Sequence, residues 1–295
     1  MVKYQVAIPS YGRHETISGA TLAMLESLSV PDELITIFVP DSSQLKKYES
    51  RLGGRYRLVV ALPGKFKAIQ FYHRWYCENY GEGTPLVQMD DDIYWLSTLF
   101  PDSNTKAGHR LRRHKGGLQP ILETGFGLAE SVGTKLWGAT IESRPEHMTQ
   151  TALVGNALIY GGLQGCYAGD SIFVGEGRQY AESFEEDSET SLQAFRKYGA
   201  VVRLEYLSLK TEVPQPGGIR GELIDSGLAP DDRSAKIVRA EANLGAFNTI
   251  AQRYPDLVSV VRNNGQGVVG LSFRGQGNVG IPREVVEQTF GNWER

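Results

Sequence analysis

Two cysteines, Cys77 and Cys166, and five histidines are all that a chain of 295 residues offers in soft ligands. The cysteines stand far apart with no CxxC spacing, and the histidines do not cluster. A disulfide scaffold and a zinc site are therefore excluded, and a reducing cytoplasm is expected. Net charge is nearly absent too: 31 Lys and Arg against 34 Asp and Glu leave −3, which argues against generic adhesion to nucleic acid. The opening MVKYQVAIPS has neither a long apolar core nor a small-residue cleavage site, so no signal peptide is expected. Met148 to Gly169 runs 22 residues without Asp, Glu, Lys or Arg, but five glycines with Gln150, Asn156 and Gln164 interrupt it. That composition suits turns and strands, not a membrane span.

What the chain has in surplus is glycine, 34 residues, against roughly 7% in average proteins. Together with 13 prolines it stays below a disordered composition, and 41% hydrophobic residues supply a sizeable core. At roughly 150 residues per domain the length suggests about two domains, or one large domain with an appendage. The small net charge hides sorting. Pro101 to Pro120 carries five basic residues and one acid, whereas Asp170 to Glu189 carries seven acids and one arginine.

The first ninety residues alternate regularly. Strands are predicted at Lys3–Ile8, Leu34–Val39, Tyr56–Leu62 and Pro85–Met89, and helices at Glu15–Leu28, Ser42–Leu52 and Phe66–Tyr80. Short strands alternating with longer helices imply right-handed βαβ units and a parallel sheet. Ligands of such sheets bind beyond the carboxyl ends of the strands. Those ends read Pro9-Ser10-Tyr11, Pro40-Asp41-Ser42, Pro63-Gly64-Lys65 and Asp90-Asp91-Asp92. Further on, strands are expected at Leu136–Ile141, Ala152–Tyr160 and Val201–Leu209, helices at Glu185–Tyr198 and Asp231–Tyr254, and a hairpin from Leu257–Val261 and Val268–Phe273. Gly161 to Gly169 reads as a glycine-rich stretch, and a boundary is placed within Gly221–Pro230.

Asp90-Asp91-Asp92 follows the apolar strand Leu86-Val87-Gln88-Met89. Three adjacent carboxylates at a buried strand end repel one another unless a cation is present. Mg2+ and Mn2+ take such oxygen ligands and share them with substrate phosphates. The alternative is a solvated acidic turn capping a following helix.

These motifs, in this order, resemble the glycosyltransferases of the A-type fold, in which a DxD motif holds a metal against the diphosphate of a nucleotide sugar. The resemblance rests on Ile8-Pro9-Ser10-Tyr11-Gly12-Arg13, Val39-Pro40-Asp41-Ser42, the aspartate triplet and Glu185-Glu186-Asp187-Ser188-Glu189, and covers about residues 1 to 220. More narrowly, IPSYGRHETI, Leu136-Trp137-Gly138-Ala139, the EDSETS run and Leu209-Lys210-Thr211 with Gly217-Gly218 are similar to the phage TET-associated glycosyltransferases. Those are thought to glycosylate hydroxymethylated pyrimidines in phage DNA.

The resemblance implies an α/β fold with a Rossmann-type mixed sheet and helices on both faces. It makes residues 1–225 the transferase domain and leaves 226–295 as a small α+β appendage, available for acceptor or DNA binding. It implies that Pro9, Ser10, Tyr11 and Arg13 lie against the nucleotide, that Asp41 bonds its base or ribose, and that Asp90 and Asp92 hold Mn2+ or Mg2+, with Asp91 on the donor. Asp187, with Glu186 beside it, becomes the base that deprotonates the acceptor. The branch often carries Arg-Asn on the helix after the third strand; here Gln70 stands for the asparagine, and Lys65 and Lys67 are the cations available for the arginine's role. A UDP-sugar donor, a host-cytoplasmic location and no membrane partner follow.

Chemistry agrees with that reading: a departing diphosphate needs its charge neutralised, and a hydroxyl needs a carboxylate within reach. Gly217-Gly218-Ile219-Arg220-Gly221 reads as a loop that either folds over phosphates or merely connects. Trp137 is a candidate wall of an acceptor pocket, or core. Lys106 to Lys115, with Arg110, Arg112 and Arg113, reads as a basic loop suited to DNA phosphates, or to plain solvation. Arg233, Lys236, Arg239 and Arg253 add cations on the C-terminal helix. Saccharide, lipid or protein acceptors remain open, as do a DNA-binding module on an inactive transferase fold and a nucleotidyltransferase.

Overall fold

Short apolar runs stopped by proline build the first strands, the pattern of parallel strands buried on both faces. The computed structural model describes residues 2–60, 79–170, 172, 185–211, 217–263, 267–275 and 277–291. In it β1 (Gln5–Pro9), β2 (Ile35–Val39), β3 (Arg57–Val60) and β4 (Pro85–Met89) are parallel, in the spatial order β3-β2-β1-β4. Their side chains alternate between two cores. Val6, Ile8, Ile37 and Val87 face one, which α1 (Thr21–Ser27), α2 (Ser42–Leu52) and α3 (Leu118–Ser131) cover with Leu25, Tyr48 and Phe126. Ala7, Phe38 and Leu86 face the other, covered by Ala194 of α4 (Glu186–Tyr198). The predicted helix at 66–80 lies, up to residue 78, outside the described residues.

Beyond β4 the sheet turns mixed. β5 (Ile93–Pro101), β6 (His109–Arg113), β7 (Trp137–Thr140), β8 (Thr151–Gly155), β9 (Leu163–Tyr167) and β10 (Val201–Thr211) follow in the chain. β9 runs antiparallel to both β4 and β7, while β10 lies parallel to β7 and antiparallel to β8. β10 is long enough to serve two neighbourhoods: Val201–Leu204 pair within the main sheet, and Leu207–Thr211 pair with β5, which carries β6 at its edge. The expected mixed α/β sheet with helices on both faces is thus present.

Several local expectations are corrected. The apolar residues after the aspartate triplet form strand β5, not a capped helix. The basic stretch is no loop: His109–Arg113 is an edge strand paired with Ser97–Pro101, and arginines on an edge discourage further pairing. The glycine-rich stretch contains β9. The strand expected to reach Tyr160 stops at Gly155, whose φ of +147° ends the regular ladder.

After α5 (Gly218–Asp225) and the 22-residue α6 (Asp232–Arg253) comes the hairpin of β11 (Val258–Asn263) and β12 (Gly267–Phe273). β13 (Val279–Pro282) then joins the main sheet beside β8, and α7 (Arg283–Phe290) lies on α3, where Phe290 packs against Gly127. Of the C-terminal strands, β13 therefore shares the main sheet, while β11 and β12 form a two-stranded sheet of their own. No described helix is long and apolar enough to cross a membrane.

Candidate active site

Strand order reverses between β1 and β4, so the loops leaving their carboxyl ends diverge and open a crevice, the place where such sheets bind ligands. The loop after β1 is held from below. Tyr48 of α2 accepts the Arg13 backbone N–H at 3.0 Å and meets Ser10 Oγ at 2.5 Å. Ser10 Oγ donates in turn to Asp91 Oδ2, and Arg13 Nη1 donates to Asp91 Oδ1 and lies 2.9 Å from Asp92 Oδ2. Thr21, first residue of α1, fixes the triplet's backbone by donating to Asp90 O at 2.6 Å and accepting from Ile93 N at 2.9 Å.

The second acidic group arrives with α4. Its first turn carries Glu186 and Asp187, where the helix dipole favours negative charge. Ser191 Oγ accepts from Ile159 N at 2.8 Å and so ties the helix to the segment before β9. In that segment the Gly161 N–H donates to the Asp187 carboxylate. Gly161 must be glycine, because a Cβ there would collide with Asp187 Oδ1 and lie 3.1 Å from Gln88 Nε2.

Both acidic groups line one cavity of about 540 Å3, a volume suited to a small-molecule ligand. Its electrostatics are strained. Asp90 is pushed up to about 8, first by burial and then by Asp92, Asp187 and Asp91, against which Arg13 acts. Burial raises Asp187 to about 6 and Glu185 to about 7, and burial with Asp187 raises Glu186. Asp91 is also raised, burial outweighing its bonds to Arg13 and Ser10. Tyr160, 3.4 Å from Asp90 Oδ2, is raised chiefly by that carboxylate. Such clustered shifts mark functional sites more often than structural ones.

A divalent cation fits this donor set. The oxygens are hard, and the Arg13 guanidinium serves Asp91 and Asp92, leaving Asp90 with the Tyr160 hydroxyl as its hydrogen-bond donor among described side chains. Burial and the neighbouring carboxylates raise Asp90 more than Arg13 lowers it, so a cation bound there would relieve their repulsion. Among described residues no three acidic, His or Cys side chains converge on one point. Asp90 and Asp92 would therefore hold the ion with water and phosphate oxygens completing its shell, as is usual for Mg2+.

Of the residues expected at the site, Pro9, Ser10, Tyr11, Arg13, Asp90, Asp91, Asp92, Glu186, Asp187, Gly217 and Gly218 do line the cavity. The two glycines need their freedom: both have positive φ, Gly218 N donates to Tyr11 O at 2.7 Å, and a Cβ on Gly217 would sit 2.8 Å from that oxygen. Gly217 precedes α5 as its cap, so this segment opens a helix instead of forming a loop.

Asp41 is not on the cavity wall; its Oδ1 caps α2 by accepting from Gln44 N at 2.8 Å. Trp137 does not line an acceptor pocket either. It is fully buried, edge-on to Phe126 at 5.5 Å, in a slot that Gly125 and Gly165 keep open. Arg110 pairs with Asp102 at 3.1 Å, while Arg112, Arg113 and Lys115 surround a separate depression of about 510 Å3. Arg112 stacks on Phe100 and Arg113 on Trp95. Lys65, Lys67 and Gln70 lie outside the described residues.

Gln88, Tyr160, Gly161 and Arg239 also line the cavity wall without having been expected there, while Arg220 lies in the segment whose sequence allowed it to fold over phosphates. Gln88 had a signal, a lone polar residue in an apolar strand. Arg239 had none, since nothing local tells which of the α6 arginines turns toward a cavity built by other elements.

No protein-family model matches the chain, and no curated protein matches it. Among solved structures it is similar to glucosyl-3-phosphoglycerate synthase from Mycobacterium tuberculosis. With phosphoglyceric acid bound, that structure superposes at a TM-score of 0.44 and 13% identity, covering 96% of this chain and 91% of that one. The same enzyme with Mn2+ and uridine-diphosphate-glucose gives the same score, identity and coverage. A Desulfovibrio desulfuricans G20 protein assigned provisionally as a nucleotide-diphospho-sugar transferase gives 0.37 at 10% identity, covering 69% and 80% of the two chains. At these scores the overlap is loose, and the chemistry of the cavity rests on its own residues.

Proposed function

We propose that the protein is a metal-dependent glycosyltransferase that moves a sugar from a nucleotide-diphosphate sugar, specifically a UDP-sugar, to a hydroxyl. One observation carries this reading: an aspartate triplet at the switch point and an acidic helix start, about a hundred residues apart in sequence, wall the same cavity. Asp90 and Asp92 would hold Mn2+ or Mg2+, which when bound supplies charge neutralisation for the departing diphosphate. The chain's own residues do the rest. Pro9 to Tyr11 and Gly217-Gly218 wall the nucleotide side, and Arg220 offers a cation to the phosphates. Asp187, aimed by the Gly161 N–H, takes the acceptor's proton. The acceptor oxygen bonds to the anomeric carbon as the carbon–oxygen bond to the diphosphate breaks, and the diphosphate leaves with the electron pair.

As acceptor we propose the hydroxyl of a 5-hydroxymethyl-type pyrimidine in DNA. The basic edge strand supports it: Arg113 stands opposite Ser97, roughly 17 Å along β5 from Asp92. A duplex could contact it there with the target base flipped out. A neutral saccharide acceptor is the second reading, favoured by the acidic cavity walls, Glu185, Glu186, Asp187 and Glu222. The test is mass detection of transfer from UDP-sugars with Mn2+ to DNA containing 5-hydroxymethylpyrimidine. Transfer to saccharides alone, unaffected by neutralising Arg112, Arg113 and Lys115, overturns the DNA acceptor. Activity retained in Asp92→Ala overturns the metal assignment.

A further inference from the structure

The buried residues of α6 are Ala235, Ala246 and Ile250. At 3.6 residues per turn they fall within about 60° of one another, so they form the helix's inward stripe. Ala235 clusters with Leu223 of α5 and with Ala229, and Ile250 with Leu192 of α4. Between those two supports the same stripe carries Arg239, which lies one turn after Ala235 and lines the cavity. Unlike the residues before and after it on the stripe, Arg239 is exposed, open to whatever enters.

The neighbouring cations already have carboxylates. Lys236 pairs with Asp232 at 3.0 Å, Arg220 with Asp232 at 2.9 Å, Arg253 with Glu189, and Arg13 with the triplet. Among described residues Arg239 has neither an ion pair nor a hydrogen-bond partner. Its charge is felt on one side of the cavity, where it lowers Glu185 against burial and Tyr160 against Asp90. Glu185 stands two residues before Asp187, and Tyr160 precedes Gly161, whose N–H holds Asp187. Arg239 therefore serves the side of the proposed base, where the acceptor must bind, not the Pro9–Tyr11 side given to the nucleotide. A guanidinium is always charged, and its planar fork matches an oxyanion with two parallel N–H···O bonds. A neutral saccharide would leave that fork unused.

We propose that Arg239 is a specificity-determining residue for the acceptor, its guanidinium pairing with a phosphate that the acceptor carries near the reacting hydroxyl. The proposal rests on the glycosyltransferase reading and deepens it. The phosphate is a phosphodiester if the acceptor is DNA, or a monoester if it is a small hydroxyl compound.

The experiment measures acceptor dissociation constants by calorimetry with saturating UDP and Mn2+, which fill the donor side. Three pairs of probes differ in phosphate charge alone or in one phosphate. They are 5-hydroxymethyl-2′-deoxycytidine and its 5′-monophosphate, glucose and glucose 6-phosphate, and a duplex containing 5-hydroxymethylcytosine with native or uncharged methylphosphonate linkages flanking that base. In at least one pair wild type is expected to bind the charged member roughly 10- to 100-fold more tightly. Arg239→Gln should lose that preference and keep its affinity for UDP, which also shows that the site is intact. The pair that responds identifies the source of the phosphate. Arg233→Gln is the control: it removes a cation from the same helix, about 120° around from Arg239 and off the cavity wall, and should keep the preference. No preference in any pair, a preference that survives in Arg239→Gln, an equal loss for UDP, or the same loss in Arg233→Gln would each overturn the assignment. Wild-type protein that does not bind UDP with Mn2+ is a separate result; it overturns the glycosyltransferase reading itself, and this inference with it.

Discussion

Replacing Arg13 with glutamine tests how the carboxylate cluster is held together. The Arg13 side chain is 14% exposed, and its partners Asp91 and Asp92 are 6% and 16% exposed, so the pairs are shielded from water. Glutamine keeps a donor amide on a shorter side chain and removes the charge. Removing one partner of a buried ion pair costs about 3–5 kcal/mol, because the other is left uncompensated. At about 2–3 °C per kcal/mol for a chain of this size, Tm of metal-free R13Q should fall by roughly 6–15 °C. The substitution also leaves more uncompensated charge facing the cavity, so Mn2+ should stabilise R13Q more than wild type. A tenfold tighter site adds about 1.4 kcal/mol to the shift at saturating metal. Scanning fluorimetry with chelator and then with Mn2+ reads both effects. A variant melting within about 2 °C of wild type, or one with an unchanged Mn2+ response, would refute the view that Arg13 is the cluster's resident counter-ion.

Further outcomes are expected at three positions. As the base, Asp187 must be ionised, and with its pKa at about 6 the rate should fall as pH drops through 6; a flat profile down to pH 5 would remove it from that role. Because its folded pKa is raised, the stability it contributes is fully present below its unfolded pKa and is lost as pH rises through 6. Asp187→Asn should therefore melt higher than wild type at pH 8, on the order of 2 kcal/mol, with the two curves converging near pH 4. Gly161→Ala should displace the Asp187 carboxylate and cut kcat roughly 10²-fold; a rate within twofold of wild type would deny the contact any importance. Trp137→Ala should cost about 3–5 kcal/mol as a core truncation, seen as a lowered denaturation midpoint, whereas a selective rise in acceptor KM at unchanged stability would return the residue to the binding site.

The first half of the fold was legible because buried parallel strands write themselves as apolar runs with proline at their ends. Predicted and observed bounds agree closely for β2, α2 and β4. The second half hid behind glycines that serve packing. α3 contains Gly125 and Gly127, which dilute a helical pattern, yet both are there so that Trp137 and Phe290 can lie against the helix. β9 went unseen for the same reason, since Gly165 clears room for Trp137. β6 was read as a loop because its arginines, suited to an edge, mimic solvated coil. At the site, the acidic motifs and the Pro9–Arg13 turn were visible as local strings. What was not visible is partnership: that Arg13 would bind the triplet, that Asp41 would spend its carboxylate on a helix cap, and that Arg239 would reach the cavity from α6.

The C-terminal residues matter to the acidic helix, and truncation after Asp225 puts that to the test. Glu189, 3% exposed on α4, is paired with Arg253 at the end of α6. Leu192, one turn on, is covered by Ile250, Tyr254 and Val258. Cutting the chain at 225 strands one buried carboxylate at a cost of about 3–5 kcal/mol and exposes a leucine worth about 2 kcal/mol more. It also leaves β8 without the β13 partner that pairs Val279–Pro282 to Thr151–Val154. Those losses rival the whole stability of an ordinary domain, about 5–15 kcal/mol. A 1–225 fragment is therefore expected to lack a cooperative melt and to give a collapsed amide NMR spectrum, while Glu189→Gln in the full chain folds with only a moderate drop in Tm. A fragment that melts cooperatively within a few degrees of the full chain would show residues 226–295 to be an independent appendage. In that case Arg239 could be removed with them, and the cavity would have to be redrawn without it.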